Sequence, residues 1–437
     1  MSNKKFKIAV YLPSQAAADT EATITKWNIA EGESFAKGQI LAEIESAKTS
    51  FDFEAPCSGV IVKLRVLESE TISFDAPVMD IETDDESMLT EIPAAASMNS
   101  EKAPAEVPKE KVSESLKRVC ILGIGGYLPE RVVTNNELLK EFPNLTDDYM
   151  FGVTGIRERR WAKEGEKPSE MAFKASLDAL KRSNIEAHEL GAIVLATDTP
   201  DMTMPSTACI LQDMLGVRGI PAFDLNAACS GWLYALSVAR GMIVSGVADN
   251  ILVVSTELQS MVIDKTDKET CFILSDGAGA AILSGSREGH AIKNVILKSD
   301  PKGLHMAKRA VPGYKIPAVV ENLNPWIRMD GHALFRFATE GFSTIIREVT
   351  SLSGWKPEEV QWVIPHQANR RILKAAAQRS GVSFERFYIN IERVGNTGSA
   401  SIPNAMVDLE KDLNKGDKMV LCSVGAGVTV AAVSIEW

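Results

Sequence analysis

The sequence has few of the residues that build metal sites and disulfide frameworks. Its 437 residues include 6 cysteines and 5 histidines, and no two cysteines form a C-x-x-C pair. Zinc sites and disulfide frameworks use regularly spaced ligands or paired cysteines. We therefore expect neither, and no metal ion of any kind.

Long apolar runs and an export signal are also missing. No run reaches the length of a membrane-spanning helix, and the start, Met1-Ser-Asn-Lys-Lys-Phe6, does not resemble a signal peptide. Together with the free cysteines, this predicts a cytoplasmic protein with no membrane span.

Acidic residues outnumber basic ones, 58 to 47, which gives a formal net charge of −11. Such a balance argues against nucleic-acid binding as the main role, although a local cationic patch remains compatible with it. The length exceeds that of one hydrophobic core, so we expect two or three domains.

The composition changes near residue 84. Residues 84–117 are rich in Ala, Pro, Glu, Lys and Ser and poor in large apolar residues. Such a segment buries too little surface to offset its ordering entropy, so we predict a flexible linker that spans roughly 30 Å.

Residues 6–83 show short alternating stretches separated by turn residues, as in Glu31-Gly32 and Lys37-Gly38, which predicts an all-β domain. Residues 31–45 are similar to residues 68–82, and this weak repeat indicates a small two-sheet sandwich with pseudo-twofold symmetry. Between the repeats, Lys48 precedes an alternating strand and is expected at an exposed hairpin tip.

This segment resembles a biotinyl/lipoyl carrier domain over nearly its whole length. The resemblance depends on Gly38-Gln-Ile-Leu-Ala-Glu-Ile-Glu-Ser-Ala-Lys48 and Ala55-Pro-Cys-Ser-Gly59. It implies a lipoyl group on Lys48, and biotin less so, because biotin carriers flank the modified lysine with methionines. Ser69 stands where the family commonly has glycine, and an unmodified Lys48 on a domain that has lost its cofactor is the alternative.

Cys229 lies in Asp224-Leu-Asn-Ala-Ala-Cys-Ser-Gly-Trp232, where we expect a strand to be followed by a helix. A helix N-terminus lowers the pKa of a thiol and raises its thiolate fraction. His366 and Asn396 each follow an apolar run further along the chain. One Cys, one His and one Asn in such positions indicate covalent acyl transfer. The other cysteines, in or beside apolar runs, are expected to be structural: Cys57, Cys120, Cys209, Cys271 and Cys422.

Residues 118–437 alternate apolar β-branched runs with amphipathic stretches, which predicts an α/β fold. The two halves, 118–290 and 291–437, echo each other, and Cys229 falls in one while His366 and Asn396 fall in the other. A duplicated unit of this kind resembles the thiolase fold, which implies five layers in the order α-β-α-β-α.

The same region resembles β-ketoacyl-acyl-carrier-protein synthase III. The matching strings are Ile124-Gly-Gly-Tyr-Leu-Pro129, Thr154-Gly-Ile-Arg-Glu-Arg159, Pro205-Ser-Thr-Ala-Cys209, Ser275-Asp-Gly-Ala-Gly-Ala280, Met329-Asp-Gly-His-Ala-Leu-Phe-Arg336 and those around Cys229, His366 and Asn396. The resemblance implies that Cys229 takes an acyl group from a CoA thioester. A malonyl thioester on acyl carrier protein then loses CO2 and attacks the acyl-enzyme.

The resemblance also implies the roles of the other site residues. His366 and Asn396 would donate hydrogen bonds to the enolate, and the backbone N–H groups of Cys229 and Ala426 would form a second oxyanion site. The residues that the resemblance assigns to CoA or pantetheine binding are Tyr149, Arg157, Lys268, Gly331 and Asn369.

Several positions depart from the family pattern. Tyr149, Val153 and Lys268 replace residues that commonly hold the CoA nucleotide, which predicts weaker or altered CoA binding. Met204 and Val424 replace aromatic residues of the acyl pocket, Met204 acting across a homodimer, so the acyl substrate is left open.

Arg336 and Arg371 match family positions that dock acyl carrier protein, which is strongly acidic. An ordinary solvated cationic helix face is the alternative interpretation of these two residues.

Three functions follow from these observations. The first is a condensing enzyme of fatty-acid or related lipid synthesis. Its acyl donor is either an acyl-CoA or an acyl-lipoyl group, made by an oxo-acid dehydrogenase, on its own carrier domain. The second is an acyltransferase that uses a non-malonyl acceptor, and the third is a non-catalytic docking subunit of an oxo-acid dehydrogenase assembly. Thiolase itself is disfavoured because the late glycine-rich stretch has no second cysteine.

Overall fold

Alternating apolar and polar residues in the first part of the chain form short strands. In a computed structural model, which describes residues 5–12, 21–46, 50–68, 70–73, 77–85, 88, 117–309 and 325–437, Ile8 and Val10 of the first strand point inward while their neighbours are more exposed. The strands of this part are β1 (Phe6–Tyr11), β2 (Glu21–Trp27), β3 (Ser34–Phe35), β4 (Ile40–Ser46), β5 (Ser50–Glu54), β6 (Gly59–Leu64), β7 (Thr71–Ser73) and β8 (Pro77–Thr83).

These strands pair into two sheets, in the orders β1-β8-β6-β3 and β5-β4-β2-β7. Ile24, Ile44 and Ile81 are fully buried in the core that the sheets share. Gly32 and Gly38 have φ values of +86° and +82°, which suit glycine in the turns where the sequence predicted them. The predicted two-sheet sandwich is confirmed.

Lys48 lies outside the described residues. The strands before and after it, β4 and β5, are paired antiparallel with Glu45 opposite Ser50. The predicted linker 84–117 also lies almost wholly outside the described residues.

The second part of the chain contains a nine-stranded sheet within the described residues. Its strands are β9 (Cys120–Tyr127), β12 (Ala192–Ala196), β13 (Ala222–Leu225), β14 (Ile251–Glu257), β15 (Gly277–Ser284), β16 (His290–Ser299), β19 (Trp362–Pro365), β20 (Lys418–Gly425) and β21 (Thr429–Glu436). Across the sheet they lie in the order β13-β12-β14-β15-β9-β16-β21-β20-β19. Two short pairs lie outside it: β10 (Val132–Thr134) with β11 (Glu158–Arg160), and β17 (Ala307–Lys308) with β18 (Arg328–Met329).

Helices cover both faces of this sheet. Their bounds are α1 (Asn135–Leu138), α2 (Asp147–Thr154), α3 (Pro168–Ser183), α4 (Thr207–Met214), α5 (Gly231–Val244), α6 (Lys268–Cys271), α7 (Gly331–Leu352), α8 (Arg370–Ser380), α9 (Ile391–Val394) and α10 (Ser401–Leu409). No helix among the residues described is both long and apolar enough to cross a membrane.

The central strands are apolar without alternation because both of their faces are buried. In β12, Val194 packs with α5 and α10 in the central core, whereas Ile193 and Leu195 pack with α3 and α4 on the outer side. In the second half, α7 and α8 form the outer core with the opposite face of β19 to β21. Val194 of the first half and Leu421 of the second share the central core with α5 and α10, so the two halves of the sheet lie on either side of these helices. The layers are therefore α-β-α-β-α, as the resemblance to the thiolase fold implied.

By compactness, the chain divides into Met1–Glu110 and Lys111–Trp437. In the second of these units, β12, β13 and β14 are parallel neighbours, and β19 and β20 form a separate parallel pair. Their carboxyl ends hold the residues of the candidate site.

Candidate active site

Cys229 lies in the turn between β13 and α5. Residues 228–230 form one short 3₁₀ turn, and the α-helix begins at Gly231. Ala228 has φ +47°, in the left-handed region that alanine rarely adopts. Its N–H donates to Asn226 Oδ1 at 3.0 Å, which helps to hold the turn. Backbone conformations of this kind concentrate at functional sites.

The β20–β21 hairpin supports the Cys229 turn from the other half of the unit. Ser423 Oγ donates to the Cys229 carbonyl oxygen at 2.9 Å, and Thr429 Oγ1 donates to the Ala227 carbonyl oxygen at 2.8 Å. A Cβ atom on Gly425 would lie 2.9 Å from the Cys229 nitrogen. Only glycine lets the strand backbone approach the cysteine this closely.

His366 follows β19 and is buried, with only 1% of its surface exposed. Its backbone N–H donates to the Cys422 carbonyl oxygen at 2.7 Å. In its ring, Nδ1 lies 2.7 Å from Ser401 Oγ. Burial lowers the pKa of His366 to about 4, so the imidazole is neutral at physiological pH.

Asn396 is held by a short parallel bridge to Leu274, in which its N–H donates to the Ile273 carbonyl oxygen at 3.0 Å. Its side-chain Oδ1 accepts the Gly398 N–H at 2.9 Å. This contact fixes which edge of the amide bears the Nδ2 hydrogens. Asn396 can therefore present a fixed neutral donor.

Two carboxyl groups that the sequence analysis did not single out lie near the cysteine. Asp198 follows β12 and Glu257 ends β14, at the same sheet edge as Cys229. Glu257 accepts a hydrogen bond from Ser399 Oγ, which also lies 2.6 Å from Ser255 Oγ. This contact links the cysteine half to the loop of Asn396. The signal in the sequence was a single acidic residue at or just beyond the end of a buried strand.

The predicted lowering of the Cys229 pKa is wrong for this environment. Burial, followed by the charges of Asp198 and Glu257, raises the pKa of the thiol well above its usual range. Burial and Asp198 also raise the pKa of Glu257 well above its usual range.

The other cysteines divide into two groups. Cys209, predicted to be structural, is exposed, and its Sγ accepts from Ser206 Oγ at 3.2 Å. The rest are buried: Cys57, Cys120, Cys271 and Cys422. No group of three His, Cys, Asp or Glu side chains in the described residues could hold a metal ion.

The residues predicted to bind CoA lie around two places. Near α2, Tyr149 is 56% exposed, and Asn369 Nδ2 donates to the Val153 carbonyl oxygen at 3.0 Å. Arg157 pairs there with Asp147 at 2.7 Å.

Lys268 and Gly331 lie at the second place. A Cβ atom on Gly331 would lie 3.1 Å from an oxygen of Glu269, the residue after Lys268. Lys268 itself is exposed at the start of α6.

The two arginines predicted to dock a carrier protein are exposed on adjacent helices. Arg336 is in the second turn of α7, and the Arg371 guanidinium near the start of α8 lies 5.9 Å from the ring of Phe335. The structure thus places the two arginines on neighbouring helices.

The two residues predicted to line the acyl pocket differ in exposure. Val424 is buried, and a Cβ atom on Gly341 would come within 3.0 Å of it. Met204 is 85% exposed, so it could line a pocket only if another subunit covered it.

Comparisons with known proteins agree with this geometry. Residues 223–301 match the family described as 3-oxoacyl-[acyl-carrier-protein (ACP)] synthase III, and residues 351–437 match its C-terminal part. Residues 9–81 match the family described as biotin-requiring enzyme, with biotinyl/lipoyl domains.

Similar curated proteins include the β-ketoacyl-[acyl-carrier-protein] synthase III of Clostridium novyi, 41% identical over 73% of this chain and 99% of that protein. The homologue of Clostridium beijerinckii is 39% identical over 74% of this chain and 100% of its own length. The solved 3-oxoacyl-[acyl-carrier-protein] synthase III of Aquifex aeolicus is 38% identical, with a TM-score of 0.68 over 73% of this chain and all of that chain. The chain therefore belongs to the β-ketoacyl-[acyl-carrier-protein] synthase III family of thiolase-fold condensing enzymes, with a biotinyl/lipoyl domain at its N-terminal end.

Proposed function

We propose that Cys229 is the nucleophile of a decarboxylative Claisen condensation. Its thiolate attacks the carbonyl carbon of an acyl thioester, and the donor thiol leaves. Malonyl-acyl-carrier protein then loses CO2, the resulting carbanion attacks the acyl carbon, and the Cys229 thiolate leaves. The observation that supports this most directly is the contact of the Cys229 turn with β20, since it joins the cysteine to the half of the unit that contains His366 and Asn396.

His366 and Asn396 would stabilise the enolate that forms as CO2 departs. A neutral imidazole donates through Nε2–H when its Nδ1 accepts a hydrogen bond from a neighbour. Ser401 can supply that hydrogen bond, because its Oγ accepts the Gln367 N–H at 3.3 Å and keeps its own proton for Nδ1.

The acylation step needs a separate oxyanion site. The backbone N–H groups of Cys229 and Ala426 would provide it, and the close approach of Gly425 to the Cys229 nitrogen supports this pairing. Because the pKa of the thiol is raised, Cys229 is protonated before acylation, and its proton ends on the sulfur of the donor, which leaves as a thiol.

The substrates would enter between the two places near Tyr149 and Lys268 described above. Arg157, Gly331 and Asn369 would contact CoA or the phosphopantetheine arm, and the acidic acyl carrier protein would dock on Arg336 and Arg371. Because Arg157 already pairs with Asp147, Asp148 and Glu392, its charge is largely offset, which supports weak binding of the CoA phosphates.

Weak binding of CoA favours an acyl donor that is attached to the carrier domain of the same chain. A lipoyl group on Lys48, acylated by an oxo-acid dehydrogenase, would reach the site through the predicted linker 84–117 at an effective concentration of about millimolar. The predicted bounds are 6–83 for this carrier domain, and 118–290 and 291–437 for the halves of the synthase. We further propose a cytoplasmic homodimer, in which the exposed Met204 enters the partner's acyl pocket.

One set of reactions tests the condensation. The purified protein is mixed with acetyl-CoA and malonyl-acyl-carrier protein, and both CO2 and β-ketoacyl-acyl-carrier protein are measured. Cys229→Ala should lose the product, whereas Cys209→Ala, the matched change at the exposed cysteine, should keep it. An acylated Cys229 without CO2 release would instead identify an acyltransferase with another acceptor, and neither signal would indicate a docking subunit.

The tethered donor has its own test. Lys48→Arg protein and wild type are purified from the native host and supplied with an oxo-acid dehydrogenase and its oxo-acid. Acyl transfer to Cys229 should be lost in the variant and remain normal with acetyl-CoA. Equal transfer in both proteins would contradict the tethered route.

A further inference from the structure

Residues 272–276, between α6 and β15, hold the backbone of Asn396. The Asn396 N–H donates to the Ile273 carbonyl oxygen at 3.0 Å, and the Ser275 N–H donates to the Asn396 carbonyl oxygen at 2.8 Å. The chain just before the asparagine is equally close, since a Cβ atom on Gly395 would lie 2.9 Å from the Cβ atom of Ser275. A shift of this segment would therefore move Asn396 with it.

The hydroxyl of Ser275 fixes this segment to β11. Ser275 is fully buried, and its Oγ accepts the Arg160 N–H at 2.8 Å and donates to the Arg160 carbonyl oxygen at 3.0 Å. A hydroxyl group can accept and donate at the same time, so one side chain binds both backbone groups of Arg160. An alanine at position 275 would remove both bonds.

Two further side chains bind the same segment. The Arg159 guanidinium donates to the Phe272 carbonyl oxygen at 2.9 Å, and the Trp161 indole N–H donates to the Leu274 carbonyl oxygen at 3.2 Å. Arg159 is fully buried and Trp161 is 4% exposed, so solvent competes little for these bonds. Together with the serine hydroxyl, these contacts hold the segment that supports the asparagine.

We propose that Ser275 is a positioning residue for the decarboxylation and that it acts through Asn396. Its hydroxyl keeps residues 272–276 on β11, and this segment keeps the Asn396 amide where the enolate forms. Acylation of Cys229 depends on the cysteine turn and on backbone N–H groups, so it does not need the hydroxyl. This inference rests on the proposed function, because it concerns the step assigned to Asn396.

The test compares Ser275→Ala with Ser176→Ala, the same change at an equally buried serine, whose Oγ donates within α3 to the Ala172 carbonyl oxygen. Single-turnover acylation of Cys229 by acetyl-CoA is measured first. The acylated protein is then mixed with malonyl-acyl-carrier protein, and CO2 release is followed. We expect Ser275→Ala to release CO2 about ten- to a hundredfold more slowly, because a small misplacement of a catalytic group costs rates of this order. Its acylation should keep the wild-type rate, and Ser176→Ala should keep both rates.

A double-mutant cycle shows whether the hydroxyl acts through the asparagine. Asn396→Ala should slow CO2 release by itself, and adding Ser275→Ala should slow it no further, because residues that act as one unit are not additive. If Ser275→Ala does not fold, Trp161→Phe, which removes the indole donor to the Leu274 carbonyl oxygen on the same segment, goes through the same cycle with the same expectation.

The outcomes separate the positioning role from the proposed function. CO2 release at the wild-type rate in Ser275→Ala, equal losses in acylation and in CO2 release, or losses that multiply in the double variant would each overturn the positioning role and leave the condensation in place. Wild-type protein that neither becomes acylated at Cys229 nor releases CO2 overturns the proposed function, and the positioning role with it.

Discussion

The replacement His366→Gln should remove a specific part of the pH dependence of stability. His366 has its pKa lowered to about 4 by burial, against an ordinary value of 6.5. Between these values the unfolded chain binds a proton that the folded protein excludes, so folding stability rises with pH across this window. A difference of about 2.5 pKa units corresponds to about 3 kcal/mol of stability that is lost as the pH falls from 6.5 to 4.

The assay is urea unfolding of wild type and His366→Gln at intervals from pH 4 to 7.5. Groups common to both proteins, such as the buried Asp276, whose pKa burial raises to about 6, cancel in the difference between the two stabilities. We expect wild type to lose about 3 kcal/mol relative to the variant on acidification. An equal difference at pH 4.5 and 7.5 would refute the buried neutral imidazole.

The low pKa of His366 also predicts that the rate of CO2 release depends little on pH near neutrality. With a pKa of about 4, more than nine-tenths of His366 is already neutral at pH 5.5, whereas an ordinary histidine would be only about one-tenth neutral. CO2 release from malonyl-acyl-carrier protein should therefore change little between pH 5.5 and 7.5. A change in the rate of CO2 release with a midpoint near pH 6.5, present in wild type and absent in His366→Gln, would refute the reasoning.

Three further outcomes follow from the contacts of the site. Ser401→Ala should slow CO2 release roughly tenfold to a hundredfold while single-turnover acylation of Cys229 is kept, and equal losses in both steps would contradict a role through the imidazole. Gly425→Ala places a Cβ atom 2.9 Å from the Cys229 nitrogen, so acylation should fall by about 10² with the far-ultraviolet circular dichroism unchanged, and normal acylation would contradict the tight approach. Iodoacetamide should modify the exposed Cys209 before any buried cysteine; peptide mass spectrometry checks the order.

The fold followed from the sequence because its patterns were local and consistent. The apolar β-branched runs that form β12 and β14 predicted strands of an α/β fold, and the turns at Gly32 and Gly38 marked the small sandwich. The cysteine, histidine and asparagine strings were likewise continuous in sequence.

What the sequence could not give was the effect of residues distant along the chain. The pKa of Cys229 was predicted to fall because only the helix was considered, whereas burial and the acids at or just beyond the ends of β12 and β14 dominate. Ser275 looked like one member of a string of small residues, and only its contacts with Arg160 and Asn396 show what it holds. Cys209 lies in an apolar stretch but on the outward side of α4.

The position of β21 in the sheet has a consequence for synthesis on the ribosome. This strand pairs with β16 on one side and β20 on the other, yet every other strand of the sheet precedes it in the chain. Until it emerges, β16 and β20 have unpaired edges that can pair with other chains. Nascent chains that stall before β21 should therefore aggregate, and the catalytic turn closes only when Thr429 arrives with that strand.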